Sequence, residues 1–230
     1  MSESKYIIVG KNLTKTYVRG KKEIIYALND TDISLEKGKM ITIMGPSGSG
    51  KSTLLNVLSG LDKPTEGKVI FNDENVADWT EEKLTIHRRE NIGFVFQNFE
   101  LVPIMTAYEN VCAPLYPTKI KSSEVKMRAI SLLKQVGLYD RMDHYPAHMS
   151  GGEMQRVAIA RALITKPKVV FADEPTGSVD EETGEKVLQL LKRVTRRDTA
   201  VVVVTHDPNI GKFADSGCKF KMRAGVIESA

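Results

Sequence analysis

A glycine-rich segment between an apolar run and a helical pattern constrains this chain more than any other feature. The run Met40–Met44 predicts a strand, Lys51–Leu58 predicts a helix, and residues 45–52, GPSGSGKS, connect them. The connecting segment fits the pattern G-x-x-x-x-G-K-[ST] in full. Its glycines let successive backbone N–H groups point at an anion, and the helix that follows adds the positive end of its dipole. The sequence therefore predicts a phosphate-binding loop and not an incidental glycine-rich turn.

Two residues of this loop have side chains suited to a nucleoside triphosphate. Lys51 can reach the β- and γ-phosphates, and the hydroxyl of Ser52 is a ligand for Mg²⁺. We expect the whole loop and the residue after it to contact the nucleotide. The predicted nucleotide-binding residues of this segment are Gly45, Pro46, Ser47, Gly48, Ser49, Gly50, Lys51, Ser52 and Thr53.

Strand and helix patterns alternate along the rest of the chain. Residues 169–172 and 200–204 are continuous apolar runs, typical of parallel strands covered on both faces. Between them, apolar side chains in residues 187–194 recur at i, i+3, i+4 and i+7, which predicts a helix. Short β-rich pieces in the first forty residues predict an antiparallel layer. The fold predicted is α/β, a P-loop NTPase core with a parallel sheet and an N-terminal antiparallel β layer.

A helical lobe is predicted in the middle of the chain. Residues 122–136 place their apolar side chains on one helical face. We therefore expect one domain over residues 1–230, with an inserted α-helical lobe at residues 98–160 and a core made of residues 1–97 and 161–230.

Two adjacent carboxylates follow a buried run. Asp173 and Glu174 come directly after residues 169–172, at the carboxyl edge of the predicted sheet, where open α/β proteins bind their ligands. Asp173 suits coordination of Mg²⁺ through water, and Glu174 suits polarising an attacking water. An acidic pair after a strand is more often a solvated turn, so this prediction depends on the loop at residues 45–52.

Composition narrows the classes of function. The 33 Lys and Arg residues against 29 Asp and Glu residues form no long run of one charge, which gives no indication of nucleic-acid binding. No apolar stretch approaches the roughly 20 residues that span a bilayer, so we expect a cytoplasmic chain. Cys112 and Cys218 are far apart and are expected as buried thiols. His87, His144 and His148 match no motif, and we expect them at the surface or at helix caps.

The features above also occur in kinases, GTPases and RecA-like motors, and a helix start in the second half of the chain gives the further information. Ser150 and Glu153 form the capping-box pattern S-x-x-E, and Gly151 and Gly152 leave the start of the helix open to an anion. Capping boxes are common. However, residues 149–163, MSGGEMQRVAIARAL, closely resemble the signature sequence of ATP-binding cassette (ABC) ATPases.

The resemblance extends over residues 6–225 and implies further site residues. Tyr17 resembles the aromatic residue that stacks on adenine, with an ordinary strand tyrosine as the alternative. Gln97 is similar to the glutamine that contacts the metal and the nucleophilic water. His206 is similar to the histidine that contacts the γ-phosphate, and Asp180 resembles a residue at the dimer seam.

Three positions depart from the family pattern. Met149 stands where Leu is usual, Glu153 where Gln is common, and Val179 where Leu is typical. None of these changes removes a group that contacts phosphate. Because Glu174 is also present, the resemblance implies a site that hydrolyses ATP.

The resemblance also implies active sites shared between two subunits. Ser150, Gly151, Gly152 and Glu153 of one subunit are expected to bind the ATP held by the phosphate loop of the other. The expected assembly is a homodimer with two Mg-ATP at its seam, which closes on ATP and reopens after hydrolysis.

The segments at residues 60–67, 91–97 and 101–111 resemble one branch of the family. That branch contains macrolide exporters, lipoprotein-release ATPases, antimicrobial-peptide resistance pumps and the cell-division ABC ATPase. It implies a separate integral membrane permease, whose coupling helix would contact residues 98–111, and a chain peripheral on the cytoplasmic face of the membrane.

Two other functions are weighed against transport. The ATPase could pull on a membrane protein that controls cell-wall enzymes without moving any substrate, and the sequence does not separate this from transport. A nucleic-acid function, as in repair or translation ABC proteins, predicts long coiled-coil insertions or two cassettes in one chain. The sequence has room for neither, so we expect no nucleic-acid partner.

Overall fold

The computed structural model describes residues 4–20, 23–195 and 199–229. The α-helices in these ranges are α1 (Lys51–Leu58), α2 (Glu81–Asn91), α3 (Ala107–Cys112), α4 (Ser122–Gln135), α5 (Gly151–Leu163) and α6 (Glu181–Val194). The strands are β1 (Tyr6–Arg19), β2 (Glu23–Glu36), β3 (Met40–Met44), β4 (Glu66–Phe71), β5 (Glu74–Asn75), β6 (Ile92–Val95), β7 (Val169–Asp173), β8 (Ala200–Thr205), β9 (Lys219–Arg223) and β10 (Val226–Ser229).

One sheet is antiparallel and has the strand order β2-β1-β4-β5. β1 and β2 pair from Tyr6↔Glu36 to Arg19↔Glu23, which makes a long two-stranded ribbon. The antiparallel layer predicted for the first forty residues is therefore confirmed. The structure adds β4, a strand from beyond the first forty residues, which pairs with the other edge of β1.

The second sheet has the order β10-β9-β3-β8-β7-β6. The pairs from β9 through β6 are parallel, and β10 alone is antiparallel to its neighbour β9. The predicted combination of a parallel sheet, an antiparallel layer and helices is confirmed. Parallel strands end at the same edge of the sheet, so the segments that follow β3, β7 and β8 lie close together at that edge.

Both faces of the parallel sheet are covered. In β7, Val169 and Phe171 face a core shared with α1 and the antiparallel sheet, whereas Val170 and Ala172 face a core shared with α5 and α6. All four side chains are fully buried. Strand side chains alternate between faces, so covering both faces requires the continuous apolar run that the sequence contains.

Helices α3, α4 and α5 pack around a third apolar cluster, which includes Val111, Leu133 and Val157. α4 follows the periodicity predicted for residues 122–136. Thr106 caps α3 with a capping box of the same type as the one that begins α5. These helices lie between β6 and β7 in the chain and join the core through α5, which packs against β6.

The surface or capping position expected for His87 is wrong. One side of α2 packs onto the antiparallel sheet, and its buried residues are Leu84 and His87. The imidazole makes edge-to-face contacts with Phe71 and Trp79, at centroid distances of 4.4 and 5.4 Å. Burial lowers the pKa of His87 to about 4. His87 is therefore a neutral core residue, because a neutral imidazole tolerates an aromatic environment better than its cation does.

The structure bears on the expectations for the two cysteines and for membrane-spanning helices. Cys112 and Cys218 are both buried and free, as predicted, and burial raises the pKa of each thiol. No helix within the described ranges has the length and apolar character needed to span a membrane.

Candidate functional site

Three loops converge at the carboxyl edge of the parallel sheet. β3 leads into the loop at residues 45–52, β7 ends at Asp173, and β8 ends at Thr205. The register brings Met44 beside Thr205 and Asp173 beside Val204. The backbone N–H of Gly45 also donates to the carbonyl of Thr205, at 3.2 Å. The sheet thus joins segments that are more than a hundred residues apart in the sequence.

The phosphate loop has a backbone that requires glycine at its end. Gly50 has φ of +103° and precedes the first residue of α1. A Cβ at this position would collide with the carbonyl oxygen of Ala27, so both the dihedral angle and the close approach exclude other residues. Lys51 is buried, and its Nζ donates to the carbonyls of Gly45 and Pro46 at 2.8 and 3.0 Å. The ammonium is therefore held over the loop.

Asp173 lies against the first turn of α1. Burial raises the pKa of Asp173 above its ordinary value, and the nearby Ser52 hydroxyl acts in the opposite direction. The neighbouring charge of Glu174 acts in the same direction as burial, and Lys51 opposes it. A buried carboxylate with a raised pKa gains most from a cation beside it. Asp173 and Ser52 are the oxygen donors that could hold a metal here.

Glu174 is anchored by the strand next to it. Its backbone is left-handed, with φ of +45°, and its N–H donates to the carbonyl of Val204 at 3.0 Å. Its Oε1 accepts from the backbone N–H of His206 at 2.9 Å and lies 2.8 Å from His206 Nδ1. Its Oε2 accepts from the Thr205 hydroxyl at 2.9 Å. Both carboxylate oxygens are therefore held by residues at the end of β8.

Gln97 lies near the same edge, two residues beyond β6. Its side chain packs against Gly177, where a Cβ would come within 2.8 Å of Gln97 Nε2. Two residues further on, Phe99 and Glu100 have left-handed backbones with φ of +64° and +48°. Arg161 of α5 donates to both of their carbonyls, at 2.7 Å to Phe99. The guanidinium thus ties the segment after Gln97 to the C-terminal end of α5.

Ser150 begins α5 with the predicted capping box. Its Oγ accepts from the N–H of Glu153 at 3.3 Å, and Glu153 Oε2 accepts from the N–H of Ser150 at 2.8 Å. The second bond lowers the pKa of Glu153. No acceptor in the described part of the chain pairs with the N–H groups of Gly151 and Gly152. The helix start therefore has two free donors.

The atoms nearest to these glycines belong to the segment after Glu174. A Cβ on Gly152 would lie 2.5 Å from Cγ2 of Thr183, and a Cβ on Gly151 would lie 3.2 Å from the carbonyl oxygen of Ser178. Asp180 caps α6 by accepting from the N–H of Thr183 at 3.0 Å, which lowers its pKa. The start of α5 thus packs beside the start of α6, and the nearest atoms include none from the phosphate loop of the same chain.

Tyr17 lies beside the phosphate loop, at the end of the β1–β2 ribbon. Its hydroxyl donates to Asp62 Oδ2 at 2.9 Å and lies near the Thr53 side chain. Burial and Asp62 raise the pKa of Tyr17. Lys15 lies 5.2 Å from the ring centroid and also pairs with Asp62. The tyrosine side chain is 41% exposed, which leaves part of the ring open to solvent.

Three residues of this region were not predicted from the sequence. Asp62 follows a glycine-containing turn, and Arg161 lies in the last turn of a helix, so neither stands in a pattern that marks a site. Thr205 had a usable signal. It is a polar residue that ends a fully buried apolar strand at the carboxyl edge, as Asp173 does.

Comparison with known proteins identifies the family. The protein-family model described as "ABC transporter" matches residues 28–177. The uncharacterized ABC transporter ATP-binding protein MJ0796 of Methanocaldococcus jannaschii is 50% identical over 210 residues, 89% of each chain. The lipoprotein-releasing system ATP-binding protein LolD of Idiomarina loihiensis is 46% identical over 198 residues, 86% of each chain.

The solved structures agree with this relationship. The dimeric post-hydrolysis structure of the MJ0796 cassette, bound to ADP and Pi, has a TM-score of 0.87 and 44% identity, and it covers 96% of this chain and 98% of that one. The predicted resemblance to ABC ATPases is confirmed. The chain belongs to the ABC transporter family, as the ATP-hydrolysing subunit of a membrane ABC system.

Proposed function

We propose that the chain hydrolyses ATP with Mg²⁺ at the carboxyl edge of its parallel sheet, in sites completed by a second copy. The observation that carries this proposal is the convergence of Lys51, Asp173, Glu174 and His206 where β3, β7 and β8 end. Transfer of a phosphoryl group to water depends mainly on positioning and on electrostatic stabilisation. A cation, a metal-binding carboxylate and a carboxylate that holds water, all at one edge of the sheet, supply both.

Residues 45–53 hold the triphosphate in this proposal, and Tyr17 stacks on the adenine. Lys51 gives its ammonium to the phosphates in place of the two loop carbonyls. Ser52 would hold Mg²⁺ directly and Asp173 would hold it through water. The described residues contain no cluster of three or more His, Cys, Asp or Glu side chains suited to a metal. One carboxylate and one hydroxyl still fit Mg²⁺, which usually takes its remaining ligands from water and phosphate. Bound there, Mg²⁺ would neutralise phosphate charge.

Glu174 is the residue that we assign to the attacking water. Its carboxylate is fixed at the end of β8, and Asp173 beside it lies near Ser52. His206, whose side chain is 62% exposed, is free to contact the γ-phosphate. Gln97 reaches the same edge from β6 and would contact the metal and the attacking water. In this arrangement the protein orients groups that are already charged.

The start of α5 serves the partner's nucleotide. Ser150, Gly151, Gly152 and Glu153 present a helix N-terminus with two free N–H donors, which suits a phosphate. Their surroundings are residues of the α6 start and not their own phosphate loop. Asp180, at that start, then lies at the seam. The dimeric structures of MJ0796 support a homodimer. The two ATP would lie between its subunits.

The membrane partner is proposed to dock beside Gln97. The segment after Gln97 exposes apolar side chains, with Val102 37% and Ile104 84% exposed. We propose that residues 98–160 form a lobe that carries this face, with residues 1–97 and 161–230 as the core, although α5 (Gly151–Leu163) crosses the later limit. A permease or force-transmitting membrane protein would hold the chain peripherally at the cytoplasmic face. No nucleic-acid partner is proposed.

Lys51→Ala is expected to weaken Mg-ATP binding. Each lost charge-assisted hydrogen bond costs about 1.5–3 kcal/mol, so affinity should fall by at least about tenfold. Equilibrium dialysis measures the change, with Lys126→Ala on the exposed side of α4 as the control. Unchanged ATP affinity in the Lys51 variant would contradict the assignment of the loop.

Ile104→Asp is expected to uncouple the chain from its membrane partner without changing ATP binding. A carboxylate at an exposed apolar contact must be desolvated when a partner docks, which costs several kcal/mol. Co-purification of the permease from native membranes measures this, and Met127→Asp on α4, 66% exposed, is the control. Equal recovery of the permease with both variants would place the docking face elsewhere.

A further inference from the structure

Thr205 connects the candidate water-holding carboxylate to two other parts of the site. It is the last residue of β8 and is fully buried. Its Oγ1 donates to Glu174 Oε2 at 2.9 Å and accepts from the N–H of Asp207 at 3.0 Å. Its carbonyl accepts from the N–H of Gly45 at 3.2 Å. One residue thus contacts the phosphate loop, the carboxylate and the turn that carries His206.

We propose that Thr205 is a positioning residue for ATP hydrolysis, whose hydroxyl fixes the orientation of the Glu174 carboxylate. This inference rests on the proposed role of Glu174 in holding water. Thr205 itself contacts neither water nor phosphate in this scheme. It acts only through the carboxylate that it holds.

The hydroxyl is oriented before it acts. Asp207 donates its N–H to Thr205 Oγ1, so the hydroxyl proton is left to point at Glu174. A hydroxyl held on a buried strand loses little entropy when it makes this bond, because strand and rotamer are already fixed. The result is a stationary donor on Oε2.

The second oxygen of Glu174 has a different environment. Oε1 is held by the backbone N–H and the ring of His206, whose side chain is 62% exposed. The scheme places this exposed ring on the γ-phosphate and away from Glu174 when nucleotide binds, which frees one acceptor position on Oε1. The Thr205 hydroxyl and the His206 N–H then remain as the donors that fix the carboxylate. Oε1 becomes the oxygen that accepts a hydrogen bond from water.

The left-handed backbone of Glu174 makes such support necessary. A non-glycine residue with φ of +45° persists only where its surroundings hold it. The strand pairing of its N–H with Val204 fixes the main chain, but it leaves the side-chain torsions free. Thr205 is the residue on the adjacent strand that fixes the carboxylate end.

Thr205→Val tests the hydroxyl with little change in shape. Loss of a hydrogen bond to a charged group should lower kcat by about 10- to 100-fold. The KM for ATP should stay within about twofold, because no group that binds phosphate is removed. Thr205→Ser keeps the hydroxyl and should restore kcat to within about threefold of the unaltered protein. Steady-state ATPase assays over a range of ATP concentrations measure both constants.

The chain offers a matched control. Thr42 is fully buried on β3, next to β8, and its hydroxyl has no partner among the described residues. Thr42→Val makes the same chemical change in the same sheet and should leave kcat and KM unaltered. If Thr205→Val does not fold, Thr205→Ala provides the same comparison with Thr205→Ser.

The outcomes separate this inference from the proposed function. Retained kcat in Thr205→Val, a Ser variant as slow as the Val variant, or a parallel loss of ATP affinity would each overturn the positioning role. If Glu174→Gln stops hydrolysis while Thr205→Val does not, only the Thr205 inference fails. If Glu174→Gln still hydrolyses ATP at the normal rate, the proposed role of Glu174 is wrong, and the Thr205 inference that rests on it is wrong as well.

Discussion

Glu174→Gln is expected to abolish ATP hydrolysis while ATP binding survives. The amide keeps the size of the side chain and can still accept from Thr205, but it has lost the charge that polarises water. Loss of a carboxylate that acts as a general base on the attacking water typically lowers the rate by about 10²–10⁴-fold. A single-turnover ATPase assay measures the loss. Glu124→Gln on α4, away from the site, is the control.

The same variant should accumulate as a dimer in ATP. ATP joins two subunits in the proposed function and its hydrolysis releases them, so a protein that binds but does not cleave stays closed. Removing a negative charge beside the triphosphate also reduces repulsion in the closed site. ADP should not support the dimer, since only the γ-phosphate meets Ser150, Gly151 and Gly152 of the other chain.

Size-exclusion chromatography with light scattering, run with ATP, with ADP and without nucleotide, distinguishes the states. The unaltered chain should be mostly monomeric without its membrane partner. A Glu174→Gln protein that binds ATP but remains monomeric at high protein concentration would contradict the shared-site mechanism. A variant that hydrolyses at the normal rate would remove Glu174 from the catalytic residues.

Mixing two inactive variants is expected to recover activity if the sites are shared. Lys51→Ala damages the phosphate loop, and Gly151→Asp places a carboxylate where the partner's phosphate is expected. Gly151 is the better position to alter, because a side chain at Gly152 would contact Thr183 of its own chain. A mixed dimer keeps one site with both an intact Lys51 and an intact Gly151. An equal mixture should recover up to about a quarter of the normal activity, as random pairing of two subunits predicts.

A second mixture provides the control. Lys51→Ala and Glu174→Gln both damage the half of the site that carries the phosphate loop. Their mixed dimer therefore contains no intact site and should stay inactive. Two affinity tags on the two variants show whether mixed dimers form. If such dimers form from Lys51→Ala and Gly151→Asp but do not hydrolyse ATP, each site would lie within one subunit.

Local patterns in the sequence were enough to predict the elements that carry the site. α1 was expected over Lys51–Leu58 and has those bounds, since a strand, a glycine-rich loop and a helix follow one another without help from distant residues. The capping box at Ser150 formed for the same reason. The continuous apolar runs also predicted buried parallel strands, because burial on both faces is a property of each strand alone.

Contacts between distant segments depended on the tertiary structure. The residues next to His87 in the sequence are mostly polar, so His87 was expected at the surface. Its contacts with Phe71 and Trp79 form only when α2 packs in the folded chain. Thr205 follows the apolar run at residues 200–204, and no local pattern indicated a role for its hydroxyl. Its bond to Glu174 exists because β7 and β8 pair in a register that places one loop beside the other. Residue types and local periodicity thus determined which groups and elements this chain has. Strand order and register, which depend on pairing between segments far apart in sequence, decided which of those groups meet.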